Sequence, residues 1–560
     1  MVAALVSVRG WSRRWLLVAA ALAPPTVGGA IWFAAAGDAR ALMLAHALYW
    51  TMPVVLALWL VALILRLRAG PMGAAAWLRT HAAGLAVALL ATIVVLSVVP
   101  ASMRMQFDET SLLGTSQSMH SHRLAMMTTG AVPTVGDPAA IDWNLDKRPP
   151  LFPFLVSLLH DLRGYRIANA FAVNAAVLFL LLAQIACVTR RSLGAISAMA
   201  APLLVLAVPL VVVTATSAGF ELLAALLLAT VVIAAIDTLA QPTAVRATWL
   251  LANGLLFAQA RYESLFVLVA LALVLAWRRR PWPLNVTGRW LLLASPTLLL
   301  PIALLLVHSR NPDFYVESGG QSLVSLAHFF SHGLPFLGAY FAPVDDSALP
   351  GGLGIVSFVA LVLWFAKGRC GASTICVLVP VAVATAIVLA WFYGDVNEPT
   401  ALRLFLPVAV LGALGPLLLP VMFPARWLPV ALLVIGTAGA GWRTHAVVTE
   451  RVMPPYFAAV ALEAVEAALQ HVKPDPHRTL LVSTVAQYLI VRGWPAMSPI
   501  AFRNRARGAT FAEVLVLETP LDAKHLRHLG DPRDVLRDGR ATLLGRIEGD
   551  LPVAVHRLER

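Results

Sequence analysis

The amino-acid sequence predicts a polytopic α-helical membrane protein with about 13 spanning helices and a small C-terminal α/β domain. Three observations carry that prediction. Of 560 residues, 59% are hydrophobic and 13% charged, where soluble domains run at roughly 45–50% apolar and about 25% charged. Mean hydropathy is +0.80. Apolar runs of roughly 20 residues, the length that crosses a hydrocarbon core, recur along most of the chain. These values exclude a soluble domain and a disordered chain. The three cysteines, Cys187, Cys370 and Cys376, are too few and too odd in number for a disulfide framework. A net charge of +13 would point to nucleic acid in a soluble protein, but in a membrane protein Lys and Arg gather in cytoplasmic loops. No nucleic-acid partner is therefore expected.

The first run, about Trp15 to Ala36, follows Arg9, Arg13 and Arg14, which places the N-terminus in the cytoplasm. The second, about Ala45 to Leu65, ends at Arg66 and Arg68, and Arg79 precedes the third, His81 to Pro100. That basic connection reads as cytoplasmic and sends the next segment outside. From Ala101 to about Pro150 the hydropathy breaks into a long polar loop, which at this length is a functional candidate. Its continuation, Leu151 to Asp161, is apolar but too short to span and suits a helix lying at the membrane surface. The catalytic loop as a whole is taken as 101–165.

Spans resume near Ile167 to Val188, Leu193 to Thr216 and Gly219 to Leu239, with Arg190 and Arg191 on the cytoplasmic side. The run Trp249 to Trp277 is interrupted by Arg261, Tyr262 and Glu263, and a charge pair in mid-span is costly in lipid. Two short helices forming a hairpin, with the tip towards the outer leaflet, return the chain to cytoplasmic Arg278, Arg279, Arg280 and Arg289. Further runs follow at Trp290 to Val307, Leu353 to Ala366, Thr374 to Tyr393, Leu402 to Met422 and Trp427 to Trp442. An outside loop, His308 to Pro350, lies after the first of these. Counting parity puts the C-terminus outside, so the chain divides into a transmembrane domain, 1–446, and an extracytoplasmic domain, 447–560. In the latter, Ala458 to His471 reads as a helix, and Thr479 to Val485, Glu513 to Leu517 and Arg540 to Arg546 read as strands.

Several polar features fall on the outer side. Asp108 and Glu109 stand a few residues beyond the third span, where a carboxylate held by neighbouring helices becomes a general base; an adjacent acidic pair in a loop is otherwise solvated surface. Asp146-Lys147-Arg148-Pro149-Pro150 sets two cations beside a restricted backbone, and cations there suit a phosphate at headgroup level. Arg261 either pairs internally with Glu263 or binds an anion oriented by it, with Tyr262 alongside. The stretch Gly394 to Pro407 holds Asn397 and ends with Arg403 at the start of a span, where snorkelling alone would also place an arginine. His120 and His122, with Asp137, form an H-x-H arrangement lacking a third ligand at defined spacing, so a divalent metal is left open.

The Asp-Glu pair after a span, the Lys-x-Pro-Pro-Leu-like element at 146–151, the short-helix pair with Arg261 and the late Arg-Leu-Phe-Leu-Pro at 403–407 together resemble the GT-C superfamily of polyprenyl-phosphate-sugar glycosyltransferases. More narrowly, the chain is similar to the branch holding protein O-mannosyltransferases and the bacterial aminoarabinose transferase. Two departures from the family pattern are Arg148, standing between Lys147 and the Pro pair, and two extra spans ahead of the loop. The resemblance implies that Asp108 is the general base, that Glu109 supports it or contacts the acceptor, and that Lys147 or Arg148, with Arg261 and Arg403, holds the lipid phosphate. Tyr262, Glu263, Asp146 and Asn397 are supporting candidates. It implies an inverting transfer from a polyprenyl monophosphate sugar to a glycan, lipid or protein acceptor outside a bacterial inner membrane, with no cofactor required beyond the lipid-linked donor. Two other readings stay open: a secondary transporter or lipid flippase using Glu221 and Asp237, and an O-antigen ligase or polymerase using the 308–332 region.

Overall fold

In the computed structural model the described residues are 37–559, apart from 71, 105–106, 136–137, 278–282, 309–325, 340–350, 369–371, 394–401, 451–456, 507–510, 520–528 and 549–551. The expected first span, Trp15 to Ala36, and Asn397 lie outside them, as do Asp137 and Arg278 to Arg280. The chain opens with α1 (Gly37–Arg68) and α2 (Ala74–Val98), then enters the polar loop. There it forms α3 (Phe107–His122), β1 (Met127–Val132), β2 (Ala139–Asn144) and α4 (Leu151–Arg163).

The membrane part continues with α5 (Ala168–Leu193), α6 (Ala195–Leu206), α7 (Pro209–Ala215), α8 (Glu221–Ala240), α9 (Ala244–Ala258) and α10 (Ser264–Trp277). Later elements are α11 (Val286–Leu293), α12 (Leu300–His308), α13 (Gly352–Ala366), α14 (Ala372–Tyr393), α15 (Leu406–Leu414) and α16 (Leu428–Val448). Among the described residues, 6 helical segments are long and apolar enough to cross a membrane, or 7 if α6 and α7 count as one bent span. The expected total of about 13 is not reached in this count. The reason is local: several apolar runs are broken where proline removes a backbone donor. Val208 is extended (φ −89°, ψ 110°) ahead of Pro209, and α6 and α7 bend by 76° there. Pro296 and Pro416 likewise sit in short 3-10 turns within their runs. The charged interruption at 259–263 leaves α9 and α10 as two short helices of 15 and 14 residues.

The bent α6–α7 segment and α8 fill the centre of the bundle, with Ala200, Leu204, Leu210, Val212 and Leu222 fully buried. The outer helices present Leu89, Leu90, Ile93 and Val94 outwards, as a helix with lipid as its solvent requires. The basic ends cluster: Arg66 pairs with Asp237 at 3.0 Å and Arg190 Nε donates to the Thr80 carbonyl at 3.1 Å. The loop carrying Asp108 leaves the opposite end of α2, whose 25 residues span roughly 37 Å at about 1.5 Å per residue.

The C-terminal region contains the expected helix, here α17 (Phe457–Val472), then β3 (Thr479–Val482), α18 (Ala486–Val491), β4 (Ala496–Met497), β5 (Glu513–Glu518), β6 (Arg540–Ile547) and β7 (Val553–Glu559). The strands do not form a sheet by themselves. A 7-stranded sheet runs β2-β1-β4-β3-β5-β7-β6, so its first two strands come from the loop after α2. β3 pairs in parallel with β4 and β5, and β1 joins antiparallel to β4 through Gly130 opposite Met497. The sheet thus ties 447–560 to the candidate catalytic loop, two regions the composition alone sets apart. Tyr165 adds to this joint by donating to the Val491 carbonyl at 2.8 Å.

The short apolar helix α4 differs from expectation. Leu151, Phe152, Phe154 and Val156 are buried against the protein, so most of its apolar face is covered by the core and only Leu162 stands well exposed.

Candidate active site

Four segments distant in sequence meet beneath the sheet. Helix α3 begins two residues after the described end of the α2 connection and carries Asp108 and Glu109 in its first turn, where acidic side chains suit the helix dipole. The 145–150 stretch contributes Asp146, Lys147 and Arg148, held by Pro149 and by the Leu151 amide donating to the Gln259 carbonyl at 3.1 Å. The start of α8 contributes Glu221, and Arg403 opens the helical turn before α15.

Asp108 accepts hydrogen bonds from both Arg148 and Arg403, one to each carboxylate oxygen. Arg148 also pairs with Asp146 at 2.6 Å, and Arg403 Nε faces Glu221 at 3.4 Å. Each guanidinium therefore stands between two carboxylates. Burial alone would push the Asp108 carboxyl up; Arg148, Arg403 and more weakly Lys147 outweigh it and hold the group well below the usual carboxylate range. Lys147 has no ion pair or hydrogen bond with a described residue. Burial and then the like charge of Arg148 lower its ammonium, against the pull of Asp108 and Asp146. Of the two adjacent cations, Lys147 is the one with free hydrogen-bonding capacity, while Arg148 is committed to two carboxylates.

Glu109 turns inward. It is fully buried, and the Ala218 amide donates to its Oε1 at 2.5 Å. That bond fixes the loop between α7 and α8, which Asn174 also grips by donating to the carbonyls of Ser217 (2.7 Å) and Gly219 (2.8 Å). Arg104, itself buried, lies close enough to Glu109 for its charge to be felt. A Cβ on Gly219 would sit 2.3 Å from Glu221 Oε2, so the glycine makes room for that carboxylate.

Glu221 is the group that reading the residues in order does not assign to this site. It stands 1% exposed, and neither carboxylate oxygen has a hydrogen-bond partner among the described residues. Its only sequence signal is a carboxylate at the head of an apolar span, the feature that also made it a transporter candidate.

Arg261 lies one layer away. It forms a two-point pair with Glu263 (Nε–Oε2 3.1 Å, Nη2–Oε1 2.8 Å), with half-buried Tyr262 between them in sequence, and its guanidinium lies 5.3 Å from the centre of the Phe220 ring. Phe220 precedes Glu221, so the two charge clusters are neighbours without sharing an ion pair. A cavity of about 40 Å³ opens beside Arg261 and Glu263, lined also by Phe257, Val267, Leu404 and Pro407 among mostly apolar side chains.

The histidines have other partners. His120 Nδ1 bonds Asp161 at 2.6 Å, and the ring of His122 packs edge-on to Trp143. Among the described residues, no group of three metal-ligating side chains comes together. Nearby, buried His160 receives a hydrogen bond at Nδ1 from Asn169 (2.8 Å), which leaves Nε2–H to donate to Ser116 Oγ at 3.2 Å; Ser116 in turn donates to the Leu113 carbonyl. The network is satisfied with a neutral ring. Burial, aided by His120, pushes His160 down to about 4 from 6.5. Above pH 6.5 the ring is neutral folded or unfolded and contributes no pH dependence. Between pH 6.5 and 4 the unfolded chain binds a proton that the folded protein does not, so stability falls on acidification through that window. The thermal midpoint of detergent-solubilised protein should therefore drop on acidification from pH 7 to 4.5, and by less in His160→Gln. Parallel curves for the two proteins would remove His160 from the account.

Fold and site together define a helical membrane protein with a buried carboxylate and cation cluster where its spans meet a mixed sheet. No protein-family model matches the chain, and no curated protein matches it. Among solved structures it is similar to the crystal structure of ArnT from Cupriavidus metallidurans bound to undecaprenyl phosphate. That likeness has 14% identity and a TM-score of 0.49, and covers 86% of this chain and 98% of that one. The apo state of the same protein gives 15% identity and a TM-score of 0.49, covering 84% and 97%.

Proposed function

We propose that this protein is an integral-membrane glycosyltransferase that moves a sugar from a polyprenyl monophosphate donor to an acceptor hydroxyl at the outer face of the membrane, with inversion. The observation that carries the reading is the meeting of Asp108 with Arg148 and Arg403, from positions 40 and 295 residues away, with Lys147 beside them. An ionised carboxylate with several half-buried cations around it is what such a displacement asks of a protein. Asp108 takes the proton from the acceptor hydroxyl as its oxygen attacks the anomeric carbon. The bond from that carbon to the phosphate oxygen breaks, and the electron pair leaves on the phosphate. Lys147, Arg148 and Arg403 stabilise the charge that develops there.

Orientation follows from the charges. Arg66, Arg68, Arg79, Arg190 and Arg191 gather at one end of the bundle, and the basic end of a membrane protein faces the cytoplasm. The site, at the far end of α2, then faces outward, and the sheet, α17 and the rest of 447–560 cover it from outside as an extracytoplasmic domain. For a bacterial chain this is the inner membrane. The acceptor, a glycan, lipid or protein, enters from the side of the sheet, and the prenyl chain lies among the apolar spans.

What weighs against the transporter reading is that its two candidate carboxylates already have cationic partners, Asp237 with Arg66 and Glu221 with Arg403. The purified protein incubated with a panel of polyprenyl-phosphate sugars should release polyprenyl phosphate from at least one of them when an acceptor extract is present. Unchanged donors across the panel, with vesicle-to-vesicle movement of lipid instead, would favour the flippase reading.

A further inference from the structure

Among the described residues the cluster has no cation in surplus. Arg104, Lys147, Arg148 and Arg403 face Asp108, Glu109, Asp146 and Glu221, and Arg104 feels Glu450 as well. Adding an anion to such a largely desolvated assembly is costly unless one carboxylate gives up its partners. Two details show which partners are free to move. Arg403 Nη1 is buried and has no hydrogen-bond partner among the described residues. Arg148 and Arg403 each hold a second carboxylate, Asp146 and Glu221, that keeps them in place when Asp108 is released.

Resting on the glycosyltransferase reading, we propose that Asp108 and the donor phosphate compete for the same two guanidinium groups, so that donor binding frees the base. With Asp108 gripped by Arg148 and Arg403, its carboxylate is a poor proton acceptor. When the phosphate takes over those hydrogen bonds, with Lys147 supplying a further donor, the carboxylate regains its basicity beside the acceptor hydroxyl. The bookkeeping of charge closes across the reaction. The phosphodiester carries one negative charge and Asp108 another; after transfer the leaving phosphate carries two and Asp108, protonated, none. The cations face the same total throughout, and the arginines follow the charge from carboxylate to phosphate. The groups facing Asp108 in this exchange are Lys147, Arg148 and Arg403, with Asp146 and Glu221 behind the arginines and Glu109 adjacent on α3. A base of this kind idles until the donor is in place.

The test is a binding measurement. Undecaprenyl phosphate titrated into detergent-solubilised protein should bind Asp108→Asn about tenfold more tightly than wild type, because the neutral amide competes far less well for the arginines, although that variant loses most of its sugar transfer. Equal or weaker binding by Asp108→Asn would overturn the exchange. No binding by wild type or variant would instead overturn the donor reading beneath it. A second measurement uses the wild type alone. The acid limb of kcat, which titrates the base in the donor complex, should lie at least one pH unit above that of kcat/KM for donor, and superimposed limbs would overturn the proposal.

Discussion

Asp108→Asn is expected to lose sugar transfer by roughly 10²- to 10⁴-fold, the range that a general base contributes, while remaining folded and inserted. The second half of that expectation follows from the geometry. Removing the carboxylate charge leaves Arg148 with Asp146 at 2.6 Å and Arg403 with Glu221 at 3.4 Å, so neither guanidinium is stranded in the interior. Asn keeps the size of Asp and still accepts one hydrogen bond. Transfer measured from a radiolabelled polyprenyl-phosphate sugar, beside a thermal unfolding curve, separates the two effects. Full transfer by Asp108→Asn would remove Asp108 from the chemistry.

Arg403→Ala is expected to have the opposite balance, with a large structural effect. Arg403 is the cation shared by Asp108 and Glu221, and Glu221 is almost wholly buried with no hydrogen bond to a described residue. Breaking a buried pair by deleting one partner costs about 3–5 kcal/mol, because the other charge is left unmatched. The variant should show a clearly lower thermal midpoint and a raised KM for donor. Arg403→Lys should recover part of the stability, but less of the donor affinity, since a point charge cannot reach two acceptors as a fork does. A wild-type midpoint and KM in Arg403→Ala would show that the cluster does not depend on this residue.

Much of the membrane part was legible because its signals are long and local. Apolar runs bounded by arginine mark α1, α2 and α5, an uninterrupted run marks α8, and the Arg261 to Glu263 interruption marks the break between α9 and α10. In the C-terminal region the alternation at Glu513–Glu518 and Arg540–Ile547 and the amphipathic run at Phe457–Val472 report β5, β6 and α17. The strands β1 and β2 are hidden because a polar loop with a single exposed alternation, Ala139, Ile141 and Trp143, looks like connection; they pair with each other, and the strand that ties them into a sheet, β4, lies more than 350 residues later. The bend at Pro209 sits inside an unbroken apolar run, where composition reports a span and only the backbone reports two axes.

The site divides in the same way. Asp108 stands out as half of an acidic pair just beyond a span, and Arg148 and Arg403 as basic residues on the side opposite to the basic loops; the structure brings these three together with Lys147. Glu109 kept its place beside Asp108 but points into the protein, holding the Ala218 loop. Arg261, equally conspicuous in sequence, is bonded to Glu263, its partner two positions on. Glu221 carried no positional oddity, since a carboxylate at a span end is common, and its role depends on the bent α6–α7 segment that delivers it to Arg403.

The central claim is that Lys147, Arg148 and Arg403 receive the phosphate of a lipid donor. An experimental structure of the protein with undecaprenyl phosphate tests it most directly. The phosphate is predicted to lie within hydrogen-bond distance of Lys147 Nζ and of both guanidinium groups, with the Asp108 carboxylate released from them. A headgroup bound away from these three cations, with Asp108 still gripped by both arginines, would contradict it.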